Sequence, residues 1–437
     1  MSYKRHVVVG GGIAGICTAL FLADKNESVL LVEKGTSLGG LLKSTYPFNN
    51  EYHFDFGTHF LAQTGNIELD KILFEDLNAK QYKYLKVGSF YHNLFEGNGF
   101  VTDFHLPRRH EFFKQINTNP ENQEFCDLQE QLVNSFGEGY TRELFDPILR
   151  KFFGYSSKDL EKDAHCLFGL QRIISSTEAN VEQLKEKNQA YNNFLAYHSY
   201  KKGLSSLKSL YPRKNGAGDW ILYLVEQLKE RNVEICLNSK IDKIDYHDEK
   251  INSISINGKI HELEQLYWTA PSTYIKTYFQ LEQTLSLPRL KSYVAHFVID
   301  KDYLTPLYYF QCFDPDFITF RVTLYENFSA PCNQNYKRIT VEVLLKEGQD
   351  IQGGLNEKIF EELIQMKVIP NNVNILHQTH LIIPNSFPIP KKNYSEESTP
   401  SNLIFDQFEN LHFFGKAYSK KWFMSEVIAE IYDKIHA

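Results

Sequence analysis

The chain carries no long basic run, no Cys-x-x-Cys pair and no uninterrupted apolar stretch of the roughly 20 residues that a membrane-spanning helix needs. Each absence removes a class of function. With 47 Lys plus Arg against 54 Asp plus Glu, a net charge of −7, there is no electrostatic footprint for nucleic acid. Cys17, Cys126, Cys166, Cys236, Cys312 and Cys332 are scattered without metal-like spacing. Neither a disulfide framework nor a metal site is therefore expected, and a reducing, cytoplasmic setting is. Glycine is only 24 of 437 residues, which excludes collagen-like and low-complexity chains. What is left is a globular protein, 42% apolar and 23% charged, long enough for two or three domains of about 150 residues. The apolar segment His6–Ala23, behind Lys4 and Arg5, superficially looks like a signal peptide, but Gly10, Gly11 and Gly12 interrupt it where a secretory segment stays apolar.

The opening of the sequence reads as strand His6–Val9, glycine turn, helix Ile13–Ala23 and strand Val29–Glu33, a βαβ unit. From Glu111 to about Lys201 polarity rises, and stretches such as Asn180–Ala196 lack glycine and proline, which predicts a helical insertion. Ile221, Leu224, Val225 and Leu228 share one face of a helix over Trp220–Arg231. Strands are expected at Val233–Leu237, Lys240–Tyr246, Ile251–Ile256 and Leu266–Thr269. A second sheet, assigned to substrate binding, is expected at Tyr293–Ile299, Tyr308–Phe313, Ile318–Leu324 and Arg338–Leu345. The last elements are a strand over Leu411–Phe414, Gly415, and a helix from about Phe423, where Phe423, Val427, Ile431 and Ile435 repeat every four residues.

Gly10-x-Gly12-x-x-Gly15 lies between a strand and a helix, and Glu33 ends the next strand 18 residues after Gly15. That context points to a dinucleotide. Gly10 permits the tight turn, Gly12 lets a pyrophosphate approach the backbone, and Gly15 lets helix and strand pack closely. The helix amides at Ile13 and Ala14 and the macrodipole face the anion, and Glu33, followed by Lys34, accepts from ribose hydroxyls. The fingerprint alone does not separate FAD from NAD.

A second glycine pair, Gly39-Gly40, and the C-terminal strand, Gly415 and helix resemble the FAD-binding amine oxidase superfamily. Within it, the sequence is similar to the branch of protoporphyrinogen oxidase-like proteins and UDP-galactopyranose mutases. Asp55-Phe56-Gly57-Thr58-His59-Phe60 resembles the branch's D-x-G-P-H-x-F segment, with Thr58 in place of proline. Phe145-x-Pro147-x-x-x-Lys151-x-Phe153-Gly154, followed by Arg172-Ile173, and Tyr211-Pro212-Arg213 ahead of Gly216 and Gly218 resemble two further segments. Phe320-Arg321-Val322-Thr323 looks like the mutase segment whose arginine holds the substrate diphosphate, and Gly415-Lys416 stands where the mutases have Gly-Arg. The mutases' aspartate after that pair is missing from Ala417–Met424, and Lys201-Lys202 stand near the place of a second arginine.

The resemblance implies an α/β fold with FAD as cofactor. Its Rossmann-like FAD-binding domain is assembled from 1–105, 205–272 and 401–437, interrupted by a helical insertion at 106–204 and a mixed or antiparallel β-sheet substrate domain at 273–400. It places Gly10, Gly12, Ile13, Ala14, Gly15, Glu33, Lys34, Gly39, Gly40, Gly57, Thr58, His59, Gly415 and Lys416 at the cofactor. It also places His59 and Arg321 at the reacting centre, and Arg321, Lys201, Lys202 and Lys416 around an anionic small-molecule substrate. Taken singly, His59 also reads as a core histidine, Arg321 as the partner of a neighbouring carboxylate, and Trp220, Trp268 and Trp422 as core. Three functions stay open. They are an FAD-dependent oxidoreductase, acting by analogy on a nucleotide-activated or glycan-precursor sugar, a non-redox mutase using reduced flavin, and a flavin-binding protein without turnover.

Overall fold

The computed structural model describes residues 5–48, 51–119, 124–197, 207–279, 281, 288–332, 335–346, 348–349, 353–394, 405–421 and 423–437. Strand Arg5–Val9 lies between Val29–Val32 and Lys259–Trp268, parallel to both, with Glu234–Cys236 beyond Val29–Val32 and Leu411–Phe413 beside the end of Lys259–Trp268. Such strands are covered on both faces, so they read as unbroken apolar runs whose alternate side chains enter different cores. Val8, Val29 and Leu31 join Ile16, Leu20, Trp220, Leu224, Ile431 and other side chains under the helices, while Val7, Val9, Leu30 and Val32 pack with Ile244, Ile254 and Trp268 on the other face. Helix Ile13–Asp24 therefore shares one layer with Gly218–Glu230 and Met424–His436.

The second sheet runs Ile375–Pro388, Arg289–Ile299, Lys337–Leu345, Thr319–Leu324, Tyr309–Cys312, Val87–Tyr91, Leu94–Glu96. It is mixed, because Val87–Tyr91 pairs in parallel with Tyr309–Cys312 while the other pairs are antiparallel. Two of its strands thus come from within 1–105. Over the expected helical insertion lie helices Arg109–Phe113, Leu128–Tyr140, Asp146–Phe153 and Glu178–Lys187. Among the described residues no helix is long and apolar enough to cross a membrane.

Two buried carboxyls and one lysine lock these parts together. Lys151 donates from Nζ to the carbonyls of Cys312 at 2.7 Å, Asp314 at 2.7 Å and Thr319 at 2.8 Å. From the other side the Glu362 carboxylate accepts from the amides of Ile318 at 2.8 Å and Thr319 at 2.9 Å. The turn between Tyr309–Cys312 and Thr319–Leu324 is held by its carbonyls on one side and its amides on the other, which satisfies backbone groups that burial would otherwise strand. Asp55 does the same across the sheets. Its Oδ1 accepts from Ser44 Oγ at 2.7 Å and the Ala217 amide at 3.0 Å, its Oδ2 from Tyr211 Oη at 2.7 Å, and its own amide donates to Tyr325 Oη at 2.9 Å. Gly216, at φ +77°, has no room for a side chain, since a Cβ would stand 2.3 Å from Asp55 Oδ1.

Lys151→Met should leave three carbonyls without their charged donor and lower unfolding stability by about 3 kcal/mol, read from denaturant midpoints. Burial pushes the Asp55 carboxyl up to about 6 against the opposing pull of its hydrogen-bond donors. The folded state therefore keeps that proton where the unfolded chain, near pH 4, releases it. The contribution is full below pH 4 and is lost as pH rises through 6, by at most about 3 kcal/mol. Asp55→Asn should remove this slope between pH 4 and 6, which paired urea titrations of both proteins would show.

Candidate functional site

The glycine fingerprint forms a cradle whose open side is Gly12. Gly10 sits at φ +109°, and a Cβ on Gly15 would lie 1.8 Å from the Gly10 carbonyl oxygen, so this turn and this helix approach more closely than any side chain allows. Gly12 differs. Its φ is −73°, ordinary for any residue, and a Cβ there would meet nothing within 4 Å. Helix Ile13–Asp24 starts with no capping side chain and no acid in its first turn, so its amides and positive end face that space uncompensated. An uncompensated helix start beside open backbone fits a pyrophosphate.

The other expected residues gather around it unevenly. Gly39, at φ +111°, donates its amide to the Gly11 carbonyl at 2.8 Å, and a Cβ on Gly40 would stand 3.4 Å from Gly12 Cα. Gly415, at φ +102°, brings the C-terminal segment to Ala14, where a Cβ would come within 3.0 Å of the alanine methyl. Glu33 accepts from the Gly11 and Gly35 amides, both at 2.6 Å, which orients the carboxylate while each oxygen retains a lone pair for a ribose hydroxyl. Lys34 instead lies over the Tyr274 ring, 4.5 Å from its centroid, and donates to Tyr274 Oη at 3.1 Å. Lys416 donates to the Lys421 carbonyl, and burial holds its ammonium below the usual lysine range. Helix Met424–His436 runs parallel to Ile13–Asp24, since Lys25 Nζ reaches the Ile435 carbonyl at 2.9 Å and Phe21 meets Tyr432. Its positive end is partly met by Glu426, which accepts from the Phe423 amide at 3.2 Å.

A second cluster forms where the Gly57-Thr58-His59 segment meets the second sheet. Arg321 and Glu342 are cross-strand partners, and Arg321 Nε and Nη2 each donate to the Glu342 carboxylate at 2.7 Å. The guanidinium fork that the resemblance assigns to a substrate anion is thus engaged by an internal carboxylate. Thr58 adds its amide to Glu342 Oε1 at 3.2 Å and pairs its hydroxyl with that of Thr323, and proline at this position would supply neither. A Cβ on Gly57 would stand 3.0 Å from Glu342 Oε2. Burial and the Arg321 charge push His59 down to about 4, so its imidazole is neutral at physiological pH. Helix Gly218–Glu230 connects the two clusters. Its start is bonded to Asp55 and Ser44, and its Ile221 packs where a Cβ on Gly39 would fall, 2.9 Å away.

Lys201, Lys202 and Trp422 lie outside the described residues. Trp220 and Trp268 are core, with their indole N–H groups on the carbonyls of Leu73 and Pro271. The sequence reading gave no role to Thr269, whose hydroxyl donates toward the carbonyls of Val9 at 2.9 Å and Gly10 at 3.1 Å and so fixes the fingerprint turn. Its only signal was a small polar residue ending an apolar strand. Glu342 carried no signal at all.

Residues 8–74 match a family described as NAD(P)-binding Rossmann-like domain. Among curated proteins, a 4,4'-diapolycopene oxygenase from Methylomonas sp is 26% identical over 279 residues, 59% of this chain and 54% of the relative. The chain spans about half the length of that relative. Among solved structures, reduced UDP-galactopyranose mutase superposes with a TM-score of 0.72 at 13% identity, covering 100% of this chain and 93% of the other. Cyclohexylamine oxidase from Brevibacterium oxydans IH-35A does so with a TM-score of 0.58 at 12% identity, covering 99% and 100%. The chain has the fold of these two solved structures, and its N-terminal residues 8–74 match the Rossmann-like family.

Proposed function

We propose that the protein is an FAD-dependent oxidoreductase. The observation that carries this reading is the cradle at Gly12, an uncapped helix start facing open backbone, with Gly39, Gly40 and Gly415 packed around it. Bound there, FAD supplies hydride acceptance that no side chain provides. Gly12, Ile13 and Ala14 would hold the pyrophosphate and Glu33 the adenosine ribose. Gly415 would bring the C-terminal segment to the cofactor, with Lys416 next to it. His59, neutral and beside the Arg321–Glu342 pair, would face the reacting end with Gly57 and Thr58. That pair carries no net charge, which suits a substrate without a strongly anionic group better than one held by a bare guanidinium. A second reading is favoured by the superposition on UDP-galactopyranose mutase. In it Arg321, released from Glu342, takes the phosphate of a nucleotide-activated or glycan-precursor sugar, with Lys201, Lys202 and Lys416 adding charge.

Gly12→Val should fold normally, because its backbone is unstrained and a Cβ there has no protein atom within 4 Å, yet purify without flavin. Thermal melting and the visible spectrum report the two halves of this expectation separately. Full flavin content in the folded variant would place the cofactor elsewhere. The two readings divide on the holoenzyme's visible spectrum. Bleaching by a substrate without added reductant marks the oxidoreductase, whereas turnover of a nucleotide sugar only after prior reduction marks the mutase.

A further inference from the structure

One face of the second sheet meets the Gly57-Thr58-His59 segment, and it carries hydrogen-bonding groups that the fold does not use. Tyr309 stands opposite Thr323, and Gln311 opposite Arg321, in neighbouring antiparallel strands. Phe310 and Val322 between them enter the core on the other face. Residues two apart in a strand share a side, so Tyr309, Gln311, Arg321 and Thr323 lie together. Thr323 pairs its hydroxyl with that of Thr58, which brings His59 to the same side. The Phe60 ring lies 5.7 Å from that of Tyr309, and the Arg321 charge acts on both His59 and Tyr309.

The Arg321 fork is held by Glu342, but its neighbours are not held in this way. Among the described residues neither His59 ring nitrogen nor Tyr309 Oη makes a hydrogen bond, and Gln311 donates from Nε2 to the Phe168 carbonyl at 3.0 Å while its Oε1 is unused. None of these atoms is sealed from solvent, unlike the unpaired His296 Nε2 inside the core. They border a space.

The donors and acceptors around that space select what enters it. Burial raises the Tyr309 hydroxyl against the pull of Arg321, so it keeps its proton and donates. The neutral His59 ring offers one donor and one acceptor nitrogen, and Gln311 Oε1 only accepts. A carboxylate or phosphate brings no proton for the two acceptors, whereas an ammonium leaves the Tyr309 proton without an acceptor. An uncharged hydroxyl supplies both. Charge is already balanced here between Arg321 and Glu342, so a charged ligand would enter without a counterion.

We propose that Tyr309, His59 and Gln311 together receive an uncharged hydroxyl beside the Phe60 ring, and that the substrate of this centre is a neutral alcohol. The proposal rests on the oxidoreductase reading and names the substrate class for its site.

Benzyl alcohol, benzylamine and benzoate share a ring that Phe60 can face and differ in charge. Titrated anaerobically into the flavin-loaded full chain at neutral pH, each reports its binding through the visible absorption of the flavin. Benzyl alcohol is expected to bind at least roughly tenfold more tightly than the other two. Tyr309→Phe keeps the ring and loses the hydroxyl, so it should weaken benzyl alcohol roughly five- to tenfold while flavin content and melting temperature stay unchanged. Gln311→Met, similar in length, should weaken it to a like extent. Equal or tighter binding of benzoate or benzylamine overturns the proposal. So does benzyl alcohol binding that neither substitution weakens, or the absence of a spectral response to all three compounds. A full chain that takes up no FAD removes the oxidoreductase reading and this proposal with it, whereas the other failures leave that reading standing.

Discussion

The buried Asp55 carboxyl is the joint on which the two halves of the molecule turn. It collects Ser44 from the stretch after the fingerprint, Tyr211 and Ala217 from the approach to helix Gly218–Glu230, and through its own amide Tyr325 from the end of a second-sheet strand. A carboxyl removed from water is costly unless its lone pairs are used, and here the donors come from segments far apart in sequence that also share the aromatic core of Tyr52, Phe54, Tyr211 and Tyr325. The same device recurs at Lys151 and Glu362, which fix one turn through its carbonyls and its amides. In each case a single ionisable group is satisfied by distant chain segments, so satisfying it also sets the relative position of sheets and insertion.

The two parts of the candidate site are prepared in opposite ways. At Gly12 the helix has no acid in its first turn and no capping side chain, and the backbone leaves space. At Arg321 the charge is already answered by Glu342, with Thr58 fastened to the same carboxylate. One part presents an uncapped helix start, whereas the other is neutral as it stands. Its electrostatic influence falls on His59, which burial and Arg321 keep unprotonated.

The dinucleotide cradle was legible because its chemistry is local. Gly10, Gly12, Gly15 and Glu33 lie within one βαβ unit, where close packing requires glycine at Gly10 and Gly15, Gly12 is left open, and Glu33 is held by the Gly11 and Gly35 amides. That Arg321 pairs with a neighbouring carboxylate was one reading of the sequence, but that the partner is Glu342 was not legible, because it depends on which residues of two neighbouring strands fall opposite each other, and that register is set by packing across the whole sheet. Strand Ile375–Pro388 escaped notice for a related reason. An edge strand exposed along much of its length has no strict apolar and polar alternation to announce it. The parallel core behaved oppositely, since burial on both faces leaves unbroken runs such as Val7-Val8-Val9.

The parallel core draws its strands from residues 5–9, 29–32, 234–236, 259–268 and 411–413. During synthesis the fingerprint emerges first, yet the strand beside it and the glycine resting on Ala14 emerge some 250 and 400 residues later. At a translation rate of about 5–20 residues per second, the half-built cradle waits on the order of tens of seconds with apolar strand edges uncovered. The order of segments along the chain, rather than the stability of the finished sheet, therefore sets how long those edges stay uncovered during synthesis.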